Sequence, residues 1–265
     1  MIREALHSIW RYRFFIFGTV KKEFQSKYHN SLLGISWTII NPLTMILIYT
    51  VIFSQVMRAK LPLANSSFSY SIYLCAGLLT WSLFAEISGR SLRVFIENSD
   101  LLKKLNFPHI CLPIIVVLTA GINFSIIFSI FTVFLLVTGN FPGFVFLAIL
   151  PLLLLHAAFA IGLGTILGLL NVFFRDVGQL YGVVLQLWFW LTPIVYTVEI
   201  LPEFVRPFLI LNPLAQLTIS YQTILVNGQI PKWGDLWLVC LMTILFHGIS
   251  LRLFYKYGSD MVDEL

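Results

Sequence analysis

The chain has 265 residues, of which 58% are apolar and only 11% charged, against about 25% charged in a typical globular domain. From Leu105 to Phe174 run 70 consecutive residues without Asp, Glu, Lys or Arg; about 20 apolar residues span a bilayer, so this stretch crosses and returns, and a soluble catalytic domain is excluded. The net charge of +5 sits in clusters beside apolar stretches rather than on one patch, which argues against a nucleic-acid partner and marks cytoplasmic rims.

Residues 1–31 mix Trp10, Tyr12, Phe14, Phe15, Phe17 and Phe24 with Arg3, Arg11, Arg13, Lys21, Lys22 and Lys27. That composition predicts an amphipathic helix lying in the cytoplasmic interface, rings in lipid and cations toward headgroups. It holds no short apolar core followed by a small-residue cleavage site, so no cleaved signal peptide is expected. Span one is predicted over Leu32–Met57, interrupted by Asn41-Pro42, and Arg58 to Phe68 forms an external loop. Span two covers Ser69–Ile87, with Glu86 and Arg90 paired at i,i+4 near its inner end.

The polar stretch 89–106 follows. Within it Asn98 or Ser99 can cap a short helix, Asp100 suits its positive end, and Lys103 and Lys104 suit its negative end. Leu101, Leu102 and Leu105 give it an apolar side that could seat in a partner's groove; a solvated loop is the alternative. Span three runs from Phe107-Pro108 to Thr138, and Gly139-Asn140-Phe141-Pro142-Gly143 is a turn. Span four covers Phe144–Leu170. Its small residues Ala160, Gly164 and Gly168 recur at i,i+4,i+8, the spacing of close helix packing. After a loop bearing Arg175-Asp176, span five covers Leu180–Val198 and the last span Trp233–Tyr255.

Between them, residues 207–231 carry no charge but are punctuated by Asn212-Pro213, Gln216, Gln222 and Asn227-Gly228, groups that are costly in lipid unless buried or facing water. Two short re-entrant helices are expected in 199–231, near the external face, with a seventh crossing as the alternative. Six crossings place both termini in the cytoplasm. They leave Arg58, Lys60, Arg206 and Lys232 outside and the other 13 of the 17 Lys and Arg inside. The fold class is therefore all-α integral membrane: six transmembrane helices, an N-terminal interface helix and two short re-entrant helices.

Chemistry-bearing patterns are sparse. There is no phosphate-binding glycine loop and no HExxH zinc pair. Cys75, Cys111 and Cys240 are odd in number and far apart, which fits buried thiols rather than a disulfide framework. His156 and His247 fall inside spans, where a neutral imidazole bonded to a neighbouring helix is the simpler account. No carboxylate is expected at mid-depth, so no proton or sodium relay is legible, and energy must come from outside the chain. No cofactor or metal is expected in this chain. On span one Trp37, Asn41, Thr44 and Gln55 share one side. On span five Gln186, Phe189, Trp190 and Pro193 lie on one side and Tyr181, Trp188 and Thr192 on another. Rings mixed with amides suit a saccharide, whose hydroxyls need partners in an apolar medium; helix packing is the bland account.

The pattern resembles the ABC-2-type permeases that export polysaccharides such as O-antigen, teichoic acid and capsule. The resemblance rests on Val20-Lys21-Lys22-Glu23-Phe24 through Lys27-Tyr28 and Leu33-Gly34-Ile35-Ser36-Trp37 to Asn41-Pro42, and on Leu101-Leu102-Lys103-Lys104 to Phe107-Pro108. It rests most specifically on Asn171-Val172-Phe173-Phe174-Arg175-Asp176 running into Trp188-Phe189-Trp190-Leu191-Thr192-Pro193-Ile194-Val195-Tyr196, followed by Asn212-Pro213-Leu214 and Tyr221. Gln222 departs from the pattern, in which many members carry Arg after the tyrosine. The resemblance implies a single transmembrane domain over residues 1–265 and a homodimer in the bacterial cytoplasmic (inner) membrane. Each subunit would dock on a separate ATPase subunit that binds ATP and Mg, and lipid-linked polysaccharide would pass between spans one and five of the two copies. It implies a cytoplasmic entrance at Lys21, Lys22, Lys27 and Tyr28, a channel lined by Trp37, Asn41, Trp188, Trp190 and Tyr196, and ATPase coupling through Glu97, Asn98, Asp100, Leu101, Lys103 and Lys104. An ABC-2 drug or lipid flippase shares the architecture, and a membrane-embedded glycosyl- or phosphotransferase would need the clustered carboxylates or histidines that the sequence lacks.

Overall fold

A computed structural model describes residues 10–27, 34–52, 68–104 and 108–265. All regular elements among these residues are helical. In chain order they are α1 (Arg13–Lys27), α2 (Trp37–Tyr49), α3 (Ser69–Glu97), α4 (Ser99–Lys104), α5 (Cys111–Val137), α6 (Ile149–Phe173), α7 (Asp176–Leu191), α8 (Pro213–Asn227) and α9 (Trp237–Glu264). Short 3₁₀ turns precede α2, α6 and α9, and two more, Val198–Ile200 and Arg206–Leu211, fill the connection from α7 to α8.

Four segments are long and apolar enough to cross a membrane: Ser69–Glu97, Cys111–Val137, Gly143–Phe173 and Trp233–Gly258. These correspond to spans two, three, four and six of the sequence reading. In span one the described apolar helix is shorter, Ile39–Ile52. Span five is narrower than its apolar run: α7 stops at Leu191, and Thr192 is extended (φ −103°, ψ 133°). Pro193 explains the stop, because it disfavours helical geometry in the residue before it.

The turn after α5 is as its residues dictate. Gly139 (φ 70°) and Gly143 (φ 66°) take left-handed conformations that carry little strain only in glycine, and Asn140 Nδ2 closes the turn on Thr138 O at 3.0 Å. Span two differs from expectation at its inner end. At about 1.5 Å per residue, α3 runs on for three turns past Glu86 to Glu97.

The core has two parts. The larger joins α3, α5, α6 and α8 around Phe84, Phe131, Phe159 and Tyr221. Its closest approach follows the small-residue stripe of α6. A Cβ on Gly164 would stand 2.7 Å from Ser91 Cβ, and one on Gly168 would strike the Ser91 carbonyl oxygen. A second small-residue position faces α9, where a Cβ on Gly162 would meet His247 Nδ1 at 2.9 Å. His247 itself bonds within its own helix, Nδ1–H to Thr243 O at 2.8 Å, rather than to a neighbour. His156 differs too: it stacks on Phe84 and meets Tyr221 edge-on, and neither ring nitrogen has a hydrogen-bond partner among the described residues.

The smaller part lies at the end carrying Glu97 and Arg175. It packs Ile16 and Val20 of α1, Val94 and Phe95 of α3, Leu102 of α4, Leu112, Ile115 and Val116 of α5, and Met261 of α9. Burial of this kind contributes about 25 cal/mol per Å² of apolar surface. Here it is what attaches the short α1 and α4 to the long helices.

Candidate functional site

Three regions hold the residues singled out in the sequence. The first is the face formed by α2, α3 and α7. On α2 only Pro42 and Ile46 of residues 41–48 are buried, and Trp37, Asn41 and Thr44 are all exposed on the outward side. On α7 Tyr181 alone is buried. Its two sides separate only in part, since Pro193, expected on the side of Gln186 and Trp190, is buried and Phe189 is half-buried. Tyr181, Trp188 and Thr192 turn toward the bundle, while Gln186 and Trp190 face outward. Trp190 is 62% exposed.

The structure adds Trp81 of α3 to this face. It lines an open cleft of about 340 Å³ shared with Asn41, Pro42, Met45 and Ser82. It also lines a second of about 280 Å³ shared with Gln186, Phe189 and Trp190. Trp81 meets Phe189 edge-on with ring centroids 5.4 Å apart, so it stands between the two outward surfaces. The sequence offered no signal for it, because a lone Trp in an apolar span has no spacing partner. Lys21 and Lys22, expected at the entrance, are exposed on α1. Tyr28, like residues 29–33, lies outside the described residues.

The second region is the bend after α7. Asn212 is its centre. The Trp188 indole donates to Asn212 Oδ1 at 2.8 Å, and the same oxygen accepts from the Leu214 and Ala215 amides, capping α8. Asn212 Nδ2 donates to Leu191 O at 3.1 Å, satisfying one of the carbonyls that the end of α7 leaves without a helical partner. Asn-Pro is thus a helix start, Asn as N-cap and Pro at the first helical position, and one side chain ties the end of α7 to the start of α8. The turns and bends that follow α7 are pinned to α3 and α8. Tyr70 donates to Val195 O at 2.7 Å, Tyr73 to Tyr196 O at 2.8 Å, and Gln222 Nε2 to Pro193 O at 3.0 Å. Gln222 is buried and acts as a strut here. Tyr196 turns back on its own bend, its hydroxyl donating to Trp190 O at 3.0 Å. We expect Asn212→Ala to lower stability by about 0.5–2 kcal/mol for the lost cap and about 1–3 kcal/mol more for the stranded indole N–H; Asn212→Asp keeps the cap and the indole acceptor. The thermal midpoint of the purified protein in detergent checks this.

The third region is α4 and its surroundings. Asn98 does not cap α4 with its side chain. Its Nδ2 donates back to Val94 O at 2.8 Å and closes α3, while its backbone carbonyl accepts from Leu101 and Leu102. Glu97 pairs with Arg93 at 3.7 Å on the α3 surface. Leu102 is 5% exposed and belongs to the smaller core, with Leu101 packed against it, so this apolar side seats in the chain's own bundle. Asp100 and Lys103 remain exposed. Leu105 to Phe107 lie outside the described residues.

Beside α4, Glu23 of α1 accepts from Arg90 at 2.5 Å and from Thr119 of α5 at 3.0 Å, while Asn123 donates to Glu86 at 2.8 Å. The i,i+4 pair read from the sequence is present at 3.9 Å, and Glu23 is Arg90's nearer partner. Among the described residues no group of His, Cys, Asp and Glu is placed to hold a metal ion.

The pattern of the ABC-2 type transporter family matches residues 16–226. An O-antigen export system permease protein, RfbA, of Klebsiella pneumoniae is 33% identical over 236 residues, 89% of this chain and 88% of that one. RfbA of Myxococcus xanthus is 30% identical over 267 residues, the full length of both. The polysialic acid transport protein KpsM of Escherichia coli is 22% identical over 237 residues, 87% of this chain and 89% of that protein. The matched range takes in every region described above, from the α1 contact with α3 to the Asn212 bend, and by it this chain belongs to the ABC-2 type transporter family.

Proposed function

We propose that the chain is the membrane subunit of an ATP-driven exporter that carries a lipid-linked polysaccharide of O-antigen type across the bacterial inner membrane. The observation that carries this reading is the full-length similarity to an O-antigen export permease, joined to a face on which Trp37, Asn41, Gln186 and Trp190 stand exposed among aliphatic side chains. Export is transport without bond chemistry, and ATP and Mg belong to a separate ATPase subunit.

In this reading the chain is one transmembrane domain of six crossings, with α2 and α7 as the cores of spans one and five and both termini in the cytoplasm. Exposure of α2 and α7 on one side supports pairing with a second copy across that side, the polysaccharide passing between them along Trp37, Asn41, Trp190 and the neighbouring Trp81. Trp188 and Tyr196 act one layer behind, holding the wall. The 3₁₀ turns and α8 within residues 199–231 form the external re-entrant gate. The heavily buried polar residues of α8, Gln216, Ser220 and Gln222, support that placement, since such groups at membrane depth must face protein. Lys21, Lys22, Lys27 and Tyr28 meet the phosphate end of the lipid carrier at the entrance, cations suiting phosphate. Glu97 to Lys104 receive the motion of the ATPase.

The test is a strain lacking this gene. Polymer is expected to accumulate inside the cell and return to the surface when the gene is restored. Surface polymer unchanged by the deletion would refute the reading.

A further inference from the structure

We propose that Glu23 is a positioning residue that yokes the entrance helix to the coupling segment, so that α1 moves with α3 as one body during transport. This rests on the coupling role given to α4 above.

Among the described side chains of α1, Ile16 and Val20 are buried and Phe15 packs against the same cluster, an apolar attachment that is not directional. Phe14 and Phe17 are exposed, and Arg13 lies over Trp10 and Phe14 at 4.8 and 4.5 Å from the ring centres. Apolar and cationic residues interleave around the helix instead of separating onto the two sides expected of an amphipathic helix, so lipid alone fixes neither its rotation nor its height. Glu23 supplies what the apolar contacts lack, a directional link. Its carboxylate accepts from Arg90 of α3 and from Thr119 of α5 through the same oxygen, Oε2. Charge-assisted bonds of this kind are about twice as strong as neutral ones, and the two donors come from two different long helices.

Arg90 cannot leave that position freely. Its other neighbour is Glu86 at 3.9 Å, itself held by Asn123 at 2.8 Å. The guanidinium therefore lies between the Glu23 carboxylate of α1 and the Glu86 carboxylate of its own helix. Ionisable groups kept partly buried against spanning helices are functional candidates by default. Seven residues beyond Arg90, α3 ends and α4 begins after the single residue Asn98. Leu102 of α4 sits in the same apolar cluster as Ile16 and Val20. A push on α4 thus reaches α1 by two routes, an apolar one through the cluster and a polar one along α3 to Arg90 and Glu23. Lys21 and Lys22, directly before Glu23, are carried with it.

The experiment uses the full chain with its ATPase subunit in lipid nanodiscs for distances and in cells for export, with Glu23→Gln and Thr119→Val as variants. Spin labels at Gln25 of α1 and Arg93 of α3, both exposed, report the separation of the two helices. In the unsubstituted latch the separation is expected to be the same with and without ATP. Glu23→Gln is expected to broaden it already without nucleotide, and to lower polymer exported per ATP hydrolysed about tenfold while protein amount and basal hydrolysis hold. Thr119→Val gives a smaller loss in the same direction. A separation that changes between nucleotide states with the latch intact overturns the proposal. So does a Glu23→Gln chain with unaltered separation and export, or one whose export and hydrolysis fall only in step with the amount of folded protein. If no ATP-dependent export occurs even without substitution, the transport reading fails, and the nucleotide-free separation still decides the latch.

Discussion

Gly168→Ala is expected to cost more stability than any other single methyl addition on α6. The new Cβ would overlap the Ser91 carbonyl oxygen and press on the Phe95 ring at 3.1 Å. Backbone cannot swing aside as a side chain end can, so α3 and α6 must separate. Overpacking of this sort costs about 1–3 kcal/mol, and separation would also strip contacts from Phe84 and Phe159 along the same seam. Gly248→Ala is the control, since nothing stands within 4 Å of a Cβ there, and replacing an exposed helical glycine gains up to about 1 kcal/mol. The thermal midpoints of the two variants in detergent should move in opposite directions. Equal midpoints would refute the close-packing role of the stripe.

The other large effect is functional. Lys103→Glu should reduce export at least about tenfold with the chain still present at normal level in the membrane. Leu102 holds α4 on the bundle, so reversing the exposed Lys103 leaves the fold alone and changes only the surface that α4 would offer to an ATPase subunit. Like charges brought together at an interface cost several kcal/mol, enough to weaken docking of the ATPase subunit by more than tenfold. Co-purification of the two subunits and surface polymer measured in the same strain check this. Normal pairing and export in Lys103→Glu would remove α4 from the docking surface.

Different elements were legible to different degrees. The apolar runs around α3, α5, α6 and α9 could be placed from composition alone, because a bilayer demands length and hydrophobicity before anything else. The stripe Ala160, Gly164, Gly168 was legible because helical spacing puts small residues on one side. Its opposing surface, Ser88 and Ser91, was not, since partner choice depends on how α3 is rotated. The end of span five was read seven residues too late because hydropathy continues through Val198, whereas Pro193 and the Asn212 bonds end the helix at Leu191.

Spacing placed Gln186 and Trp190 on the outward side of α7 but also Pro193, which the end of the helix buries; Trp188 and Trp190 share the same composition signal, and only the fold separates the indole bonded to Asn212 from the exposed one. Trp81 could not be found from spacing. Glu23 carried no legible role either, being one acid among many cations.

By itself the sequence determined that this is a multi-span membrane protein, where most of its long helices run, which end bears the positive rim, and which family pattern it follows. These are one-dimensional properties, set by transfer of apolar residues into lipid and by local turn chemistry. The tertiary structure alone decided that α4 packs its leucines into its own bundle, that Asn212 joins two helices, that Trp81 stands between α2 and α7, and that Glu23 reaches Arg90. Each joins residues between 24 and 67 positions apart or places an element against distant ones, and such pairings arise only when helices of fixed rotation are packed against one another.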